Sequence, residues 1–173
     1  MNYIVAVDEK WGIGKNNDLL FSLKGDMAFF RTTTSGKTVI MGDRTLASLP
    51  GGNPLKNRTN IVMTLDKTLQ FPEGVTVCYS LSDLFHILNK MENTDDVFVM
   101  GGATIYNLLY PYCEYAYITK VQADGGAQVF IENLDEKENW QVVATGETLT
   151  ENDLTYTFFT YKNNNVKPFS DLR

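Results

Sequence analysis

Cysteine and histidine are nearly absent from this 173-residue chain, which has two Cys and one His. Cys78 and Cys113 lie in separate apolar stretches, neither with a second Cys two or three residues away, and His86 stands alone. This argues against a disulfide framework or a zinc site. Long hydrophobic runs are missing too: Tyr3–Val7 passes directly into Asp8-Glu9-Lys10. That is far short of the ~20 residues a membrane span needs, and it has no signal-peptide layout. Positive charge is in deficit, with 15 Lys and Arg against 21 Asp and Glu for a formal charge of -6. The arginines, Arg31, Arg44, Arg58 and Arg173, are scattered, whereas neutralising a nucleic acid needs clustered cations. The expectation is a cytoplasmic protein of a reducing compartment, with no nucleic-acid or membrane partner. Proline is sparse, at 5, but 43% of the residues are apolar and 12% aromatic. That suffices for one sizeable core and one domain, and it excludes disorder.

Eight short apolar runs are expected to be strands: Tyr3–Val7, Thr38–Met41, Thr59–Met63, Thr76–Tyr79, Val97–Met100, Tyr115–Val121, Gln141–Ala144 and Tyr156–Lys162. Helical patterns lie between several of them, over Lys24–Thr33, in a short turn after Gly42, over Ser82–Met91 with Ser82 as N-cap, and over Thr104–Leu109. Continuous apolar strands alternating with helices predict an α/β fold with a mainly parallel sheet covered on both faces. The last two runs, joined by the polar stretch Gly146–Asn152, predict an antiparallel pair on the sheet edge. The segment from Asn163 to Arg173 is expected to be loosely held. Two long connections, Asp8–Leu23 and Pro50–Arg58, are rich in Gly, Asn or Pro, and loops of that length are often functional.

Few side chains are candidates for chemistry. Leu23, Asp26, Met27 and Phe30 share one helical face by their i, i+3, i+4, i+7 spacing, so a carboxylate stands among apolar groups on the core side. Asp26 there either awaits a donor-rich ligand or is a first-turn acid complementing the helix dipole. Met100-Gly101-Gly102-Ala103-Thr104 and Met41-Gly42-Asp43-Arg44-Thr45 are strand–glycine–helix junctions. Their free amides suit two phosphates of a dinucleotide, or else the glycines only make tight turns. Arg58 either grips a substrate carboxylate or is a solvated surface residue. Trp11 is either a lid anchor or ordinary packing, and His86 reads as a surface helix position.

Taken in order, Ile4-Val5-Ala6-Val7, Trp11-Gly12-Ile13-Gly14, Asp26 with Phe30, Val39-Ile40-Met41-Gly42 with Thr45, Arg58, Met100-Gly101-Gly102 with Tyr106, and Thr119 resemble the dihydrofolate reductase family. The match covers nearly the whole chain. It implies a central eight-stranded, mostly parallel sheet with four flanking helices, a domain over residues 1–163 and a loosely held tail over 164–173. It also implies hydride transfer from NADPH to 7,8-dihydrofolate, giving 5,6,7,8-tetrahydrofolate for one-carbon metabolism, by a cytoplasmic monomer that antifolates inhibit and that needs no metal. Asp26 would be the catalytic residue, pairing with the pteridine 2-amino group and N3, with Thr119 supporting it through a water. Ile4 and Met100 carbonyls would face the pteridine, Phe30 and Leu49 would flank the rings, Val5 and Met27 would complete the substrate side, and Arg58 would take the glutamate α-carboxylate. Ala6, Ile13 and Gly14 would line the nicotinamide. Thr45, Gly102, Ala103 and Thr104 would hold the cofactor phosphates, with Gly42, Arg44, Thr64, Met100 and Ile105 completing the cofactor side. The alternatives are a non-catalytic pterin- or nucleotide-binding protein of the same fold, or a related pyrimidine reductase.

Five departures from the family stand out. Leu20-Phe21 replaces the usual Pro-Trp, and Ala127-Gln128 replaces Asp-Thr. Both predict a first loop held less firmly over the cofactor. Ala103 stands where a third glycine is frequent. Asp43 occupies a usually basic position near the NADPH 2′-phosphate, and Leu65 stands where a hydroxyl is common, with Lys67 close by. A narrower preference for NADPH over NADH follows.

Overall fold

A computed structural model describes residues 1–170 of the chain. Eight strands form its main sheet: β1 (Asn2–Val7), β4 (Thr38–Gly42), β5 (Thr59–Met63), β6 (Val75–Cys78), β7 (Val97–Gly101), β8 (Tyr115–Val121), β10 (Trp140–Glu151) and β11 (Leu154–Asn163). Their order across the sheet is β10-β11-β8-β1-β7-β4-β5-β6. The pairs from β8 through β6 are parallel, while β11 runs antiparallel to β8 and β10 antiparallel to β11. The apolar central strands are buried, with Val39, Ile40, Met41, Ile61, Val62 and Val99 almost wholly shielded from water. Helices α1 (Lys24–Thr34), α2 (Asp43–Ser48), α3 (Leu81–Asn89) and α4 (Ala103–Leu109) connect the parallel strands.

Several features differ from the sequence expectations. A second sheet of three short strands, β2 (Gly12–Lys15), β3 (Asp18–Leu19) and β9 (Val129–Phe130), ties the first long connection to the segment after β8. Helix α3 starts at Leu81 and its cap is Ser80, not Ser82: the Ser80 hydroxyl accepts from Asp83 N at 3.1 Å while the Asp83 carboxylate accepts from Tyr79 N at 2.9 Å. The acid three residues on selects the earlier serine, because only that spacing lets each side chain satisfy an amide at the helix start. Gly146–Asn152 is not a connector, since β10 continues to Glu151 and the turn is only Asn152-Asp153, both with positive φ. Register shifts between Val142 and Ala144 and between Thr145 and Thr148 break the alternation that would have marked this strand.

Asn163, placed at the head of a loose tail, is the buried last residue of β11. Beyond it, Asn164 N donates to Asn139 O at 2.7 Å, Lys167 N donates to Pro111 O at 2.9 Å, and the Phe169 ring lies 5.6 Å from that of Phe85. Residues 171–173 lie outside the described residues.

One irregularity of the sheet creates the site. β1 pairs with β8 along its whole length, from Asn2–Tyr115 to Val7–Lys120, but with β7 only at Asn2–Phe98 and Tyr3–Val99. From Ile4 onward the two strands separate. The gap opens at the carboxyl ends of β1, β7 and β4, where the chain, having built β4, β5 and β6 outward, returns to insert β7 and then crosses β1 to build β8. Open α/β sheets bind ligands at such reversals of strand order.

Candidate active site

A cleft of about 1050 Å³ occupies this gap. That is at or above the size of a typical single small-molecule site of roughly 300–1000 Å³, and it leaves room for two ligands side by side. Among the residues singled out from the sequence, Ile4, Val5, Ala6, Ile13, Gly14, Asp26, Met27, Phe30, Arg44, Thr45, Leu49, Arg58, Met100, Gly102 and Ala103 line it. Gly42, Thr64, Thr104, Ile105 and Thr119 are not among the lining residues. Thr64 is buried and donates to the Asp43 carboxylate at 2.6 Å. Ile105 is buried against Gly42, where an added Cβ would stand 3.2 Å from its Cγ1. Thr104 is exposed on the first turn of α4.

The α1 face carrying Asp26 does not point into the protein core, as its apolar spacing suggested. Leu23 is buried, but Met27 is 57% exposed and Phe30 is half-buried, both lining the cleft with Asp26. Apolar periodicity reports a face shielded from water, and here a cleft wall takes the place of packed protein. Thr119 Oγ1 donates directly to Asp26 Oδ1 at 2.7 Å, in place of the water-mediated contact that the resemblance implied. Thr119 stands opposite Ala6 in the β8–β1 ladder, and its register brings the hydroxyl up to α1. Asp26 Oδ2 has no partner among the described residues. Burial pushes the Asp26 carboxyl up from its ordinary range, and the Thr119 hydroxyl holds it back in part.

Arg58, at the other end of the cleft, is not a freely solvated side chain. Its Nε and Nη2 donate to Thr34 Oγ1 at 3.2 and 3.1 Å, Nη1 to Lys56 O at 2.8 Å and Nη2 to Arg31 O at 3.3 Å. These bonds dock the guanidinium on the carboxyl end of α1, which the helix dipole favours. Burial and the nearby Arg31 charge both lower its hold on its proton, and no carboxylate lies within ion-pair distance among the described residues.

Sequence reasoning left several wall residues unassigned, including Leu20, Phe21, Arg31, Ser48, Leu55 and Tyr106. Tyr106 is the most informative: its hydroxyl donates to Ile4 O at 2.7 Å in a fully buried bond that spans the parting between β1 and α4. Burial drives its phenol far above the ordinary range, so it stays a donor.

The first long connection is firmly tied. The buried Asp8 carboxylate accepts from Lys10 N, Gly12 N and Gly125 N at 2.8 to 3.0 Å. Gln128 N donates to Gly14 O at 2.9 Å and Gln128 Oε1 accepts from Asn16 N at 3.0 Å. The expected loosening at Ala127-Gln128 is therefore met by bonds that Gln128 itself makes. Trp11 is buried, its ring edge-on to Tyr161 at 6.0 Å, and serves as packing.

An α/β sheet with a two-ligand cleft at its strand reversal, walled by glycine-rich junctions and one half-buried carboxylate, defines a small-molecule-binding protein of the nucleotide-binding class. A family model of dihydrofolate reductase matches residues 1–163, and the chain belongs to that family. The dihydrofolate reductase of Bacillus subtilis (strain 168) is 37% identical over 167 residues, covering 95% of each chain. That of Staphylococcus haemolyticus is 30% identical over 161 residues, covering 92% of each. Among solved structures, the Enterococcus faecalis dihydrofolate reductase complexed with NADP(H) and RAB-propyl superimposes with a TM-score of 0.82 at 30% identity, covering 94% of this chain and 95% of that one.

A carboxyl whose pKa is higher in the folded than in the unfolded state binds its proton more tightly when folded, so ionising it weakens the fold. Asp26→Asn removes that ionisation. The variant is expected to be more stable than the parent at neutral pH. The advantage should shrink as pH falls through the folded-state pKa and vanish below the ordinary carboxylate range of about 4. Urea midpoints of both proteins measured across that range check it.

Proposed function

We propose that this chain transfers a hydride from NADPH to 7,8-dihydrofolate to give 5,6,7,8-tetrahydrofolate, with Asp26 as its catalytic residue. The observation that carries this is Asp26 itself, a half-buried carboxylate among apolar walls, fixed by one hydroxyl and with its second oxygen unpartnered. Such a group suits the paired N–H donors of an amidine-type ring edge, as in a pterin. Family membership supports the same activity in general terms.

The residues present fit a nicotinamide dinucleotide. Ala6, Ile13 and Gly14 form one apolar wall, and Thr45 stands across from Gly102, where an added Cβ would lie 3.6 Å from the Thr45 hydroxyl oxygen. α2 and α4 both start beside the cleft without side-chain caps, leaving first-turn amides for phosphate. The cofactor, when bound, supplies the hydride for pterin C6. The chain's own work is to hold two rings face to face, with Ile4, Val5, Met27, Phe30, Leu49 and Met100 on the substrate side, and to keep water out. Besides Asp26, the only carboxylate in the lining among the described residues is the exposed Asp18. The proton for the reduced ring nitrogen is accordingly assigned to water, with the Asp26 charge raising the basicity of the substrate. The same proposal takes the enzyme to be a cytoplasmic monomer, open to antifolates that present an amidine-type edge to Asp26.

Loss of absorbance at the reduced-nicotinamide band on adding dihydrofolate tests the activity. Asp26→Asn is expected to lower the hydride-transfer rate by about a hundredfold or more, since the amide keeps the volume and loses the charge. Parental activity in that variant would sink the assignment, and tight pterin binding without turnover in the parent would indicate a non-catalytic binder.

Arg58 is a docked cation, partly desolvated, repelled by Arg31 and without a protein anion in ion-pair range among the described residues, so a substrate carboxylate is its natural partner. The contact is remote from the reacting carbon and contributes uniform binding. Arg58→Ala should therefore raise KM for dihydrofolate by about tenfold or more with little change in kcat. An unchanged KM would remove Arg58 from the site.

Cofactor choice turns on Asp43. Its carboxylate accepts from the Thr64 hydroxyl at the start of α2, while Arg44 is exposed in the cleft with no protein carboxylate in ion-pair range among the described residues. Leu65 is 91% exposed and offers no hydroxyl. NADPH is expected to be preferred over NADH by a narrow margin, and Asp43→Arg to widen it, as read from kcat/KM with each cofactor. A preference for NADH would overturn the first expectation. Indifference to Asp43→Arg would show that this side chain does not face the cofactor.

A further inference from the structure

Helix α1 carries Asp26 but does not cap itself: the residue before it is Leu23, and no side-chain cap comes from within its own segment. Its first amides are satisfied from the far end of the β10–β11 hairpin. Glu151, the last residue of β10, accepts from Lys24 N at 2.8 Å through Oε2 and from Gly25 N at 3.3 Å through Oε1. Those are the two residues directly before Asp26. Tyr156 of β11 is buried, and its hydroxyl sits so close over Gly25 that a Cβ there would clash with it. Leu149, Leu154 and Phe158 of the same hairpin pack with Leu23 and Phe21 in a cluster separate from the main core. The hairpin end thus grips the first turn of α1 and the end of the first long connection together, while neither Glu151 nor Tyr156 lines the cleft.

We infer that Glu151, backed by Tyr156, is a positioning residue for the reaction: it fixes the first turn of α1 so that the Asp26 carboxylate stays against Thr119 at the cleft. This rests on the function proposed above. A carboxylate on two orphan amides at a helix start is favoured both by the hydrogen bonds and by the helix dipole. A displacement of about 1 Å at a reacting group can lower a rate as much as a hundredfold, so a clamp one residue from Asp26 has leverage that its distance from the substrate hides. Burial keeps the Tyr106 and Tyr156 phenols protonated; the Asp26 charge adds to this at Tyr106, and the Glu151 and then the Asp26 charge add to it at Tyr156.

Two readouts test this, steady-state kinetics and the pH titration of the Asp26 carboxyl carbon followed by carbon-13 NMR in the ligand-free protein. Glu151→Ala is expected to lower kcat by about tenfold, with a smaller rise in KM for dihydrofolate. It should also move the Asp26 titration to lower pH, because a loosened turn admits water to a carboxyl that burial holds up. Glu151→Gln keeps an acceptor oxygen on the helix and should retain most of the parental behaviour. Glu147→Ala removes the same charge from an exposed position of the same strand and should match the parent. If Glu151→Ala does not fold, Tyr156→Phe is read the same way, with smaller shifts in the same directions. Parental kcat and titration in Glu151→Ala, equal shifts in Glu147→Ala, or a lowered Tm with an unmoved Asp26 titration would each overturn the proposal. The titration needs no turnover, so failure of the proposed activity and failure of the clamp are told apart.

Discussion

Beyond Tyr3 and Val99, β1 and β7 no longer pair, and the rest of the site follows from what that parting leaves to be satisfied. A parallel sheet covered on both faces normally gives every main-chain group a partner, and an orphaned buried carbonyl is destabilising by about 1–3 kcal/mol. The parting leaves Ile4 without a β7 neighbour, and the Tyr106 hydroxyl meets its carbonyl at 2.7 Å. Tyr106 in turn restricts its neighbour: Gly101 has φ +125°, and an added Cβ would stand 3.3 Å from the Tyr106 ring. Glycine is required there by backbone conformation and by space, and the same junction delivers Gly102 and Ala103 to the cleft wall. The cleft is thus a gap held open by a hydrogen bond across it.

Charge inside the gap is used sparingly. The carboxylate of Asp26 is half-buried, and the cations Arg31, Arg44 and Arg58 lie along other parts of the wall. A carboxylate among apolar groups is held at a cost to the fold, since burial raises its pKa and the Thr119 bond offsets only part of the effect. Such a residue stays in place only because its surroundings overdetermine it. Thr119 is fixed by the β8–β1 register, and α1 is fixed at its start by Glu151 and near its end by the Arg58–Thr34 contacts. Both ends of the helix are secured by groups from other elements.

The main sheet and the helices were legible because their signals are local. Apolar runs such as Val97–Met100 and Tyr115–Val121 can only be buried strands at those lengths, and most boundaries were read to within a residue or two. The small sheet was not legible: Gly12–Lys15, Asp18–Leu19 and Val129–Phe130 are mostly exposed, short or glycine-rich, and the pairing that joins the first two to the third spans more than a hundred residues. Most candidate residues came together in one cleft. Of those that did not, Thr104 and Ile105 adjoin the wall residues Ala103 and Tyr106 in sequence but lie off the cleft, and Thr64 is buried against Asp43. The direct Thr119–Asp26 bond and the Glu151 cap depend on distances between elements that no spacing along the chain encodes.

Departures from a family pattern are hard to interpret singly for the same reason. Ala127-Gln128 in place of Asp-Thr removes a carboxylate from the segment facing the first loop, which taken alone means a weaker tether. In the folded chain Gly12 comes so close to Ala127 that a Cβ on it would overlap the alanine methyl, so a small residue on each side lets the two backbones approach. That approach lets Gln128 use both its main-chain amide, on Gly14 O, and its side-chain oxygen, on Asn16 N. Ile131 N adds a bond to Trp11 O at 3.0 Å, and the buried Asp8 collects three further amides from the loop and from Gly125. The tether has moved from one acid to a neighbouring amide and to the backbone itself. The Gln128 and Ile131 bonds do not depend on ionisation, while the Asp8 carboxylate and the Lys10–Asp124 ion pair at 2.9 Å do, so the loop over the cleft keeps a share of its tether that pH and salt leave alone even where the carboxylate contacts weaken.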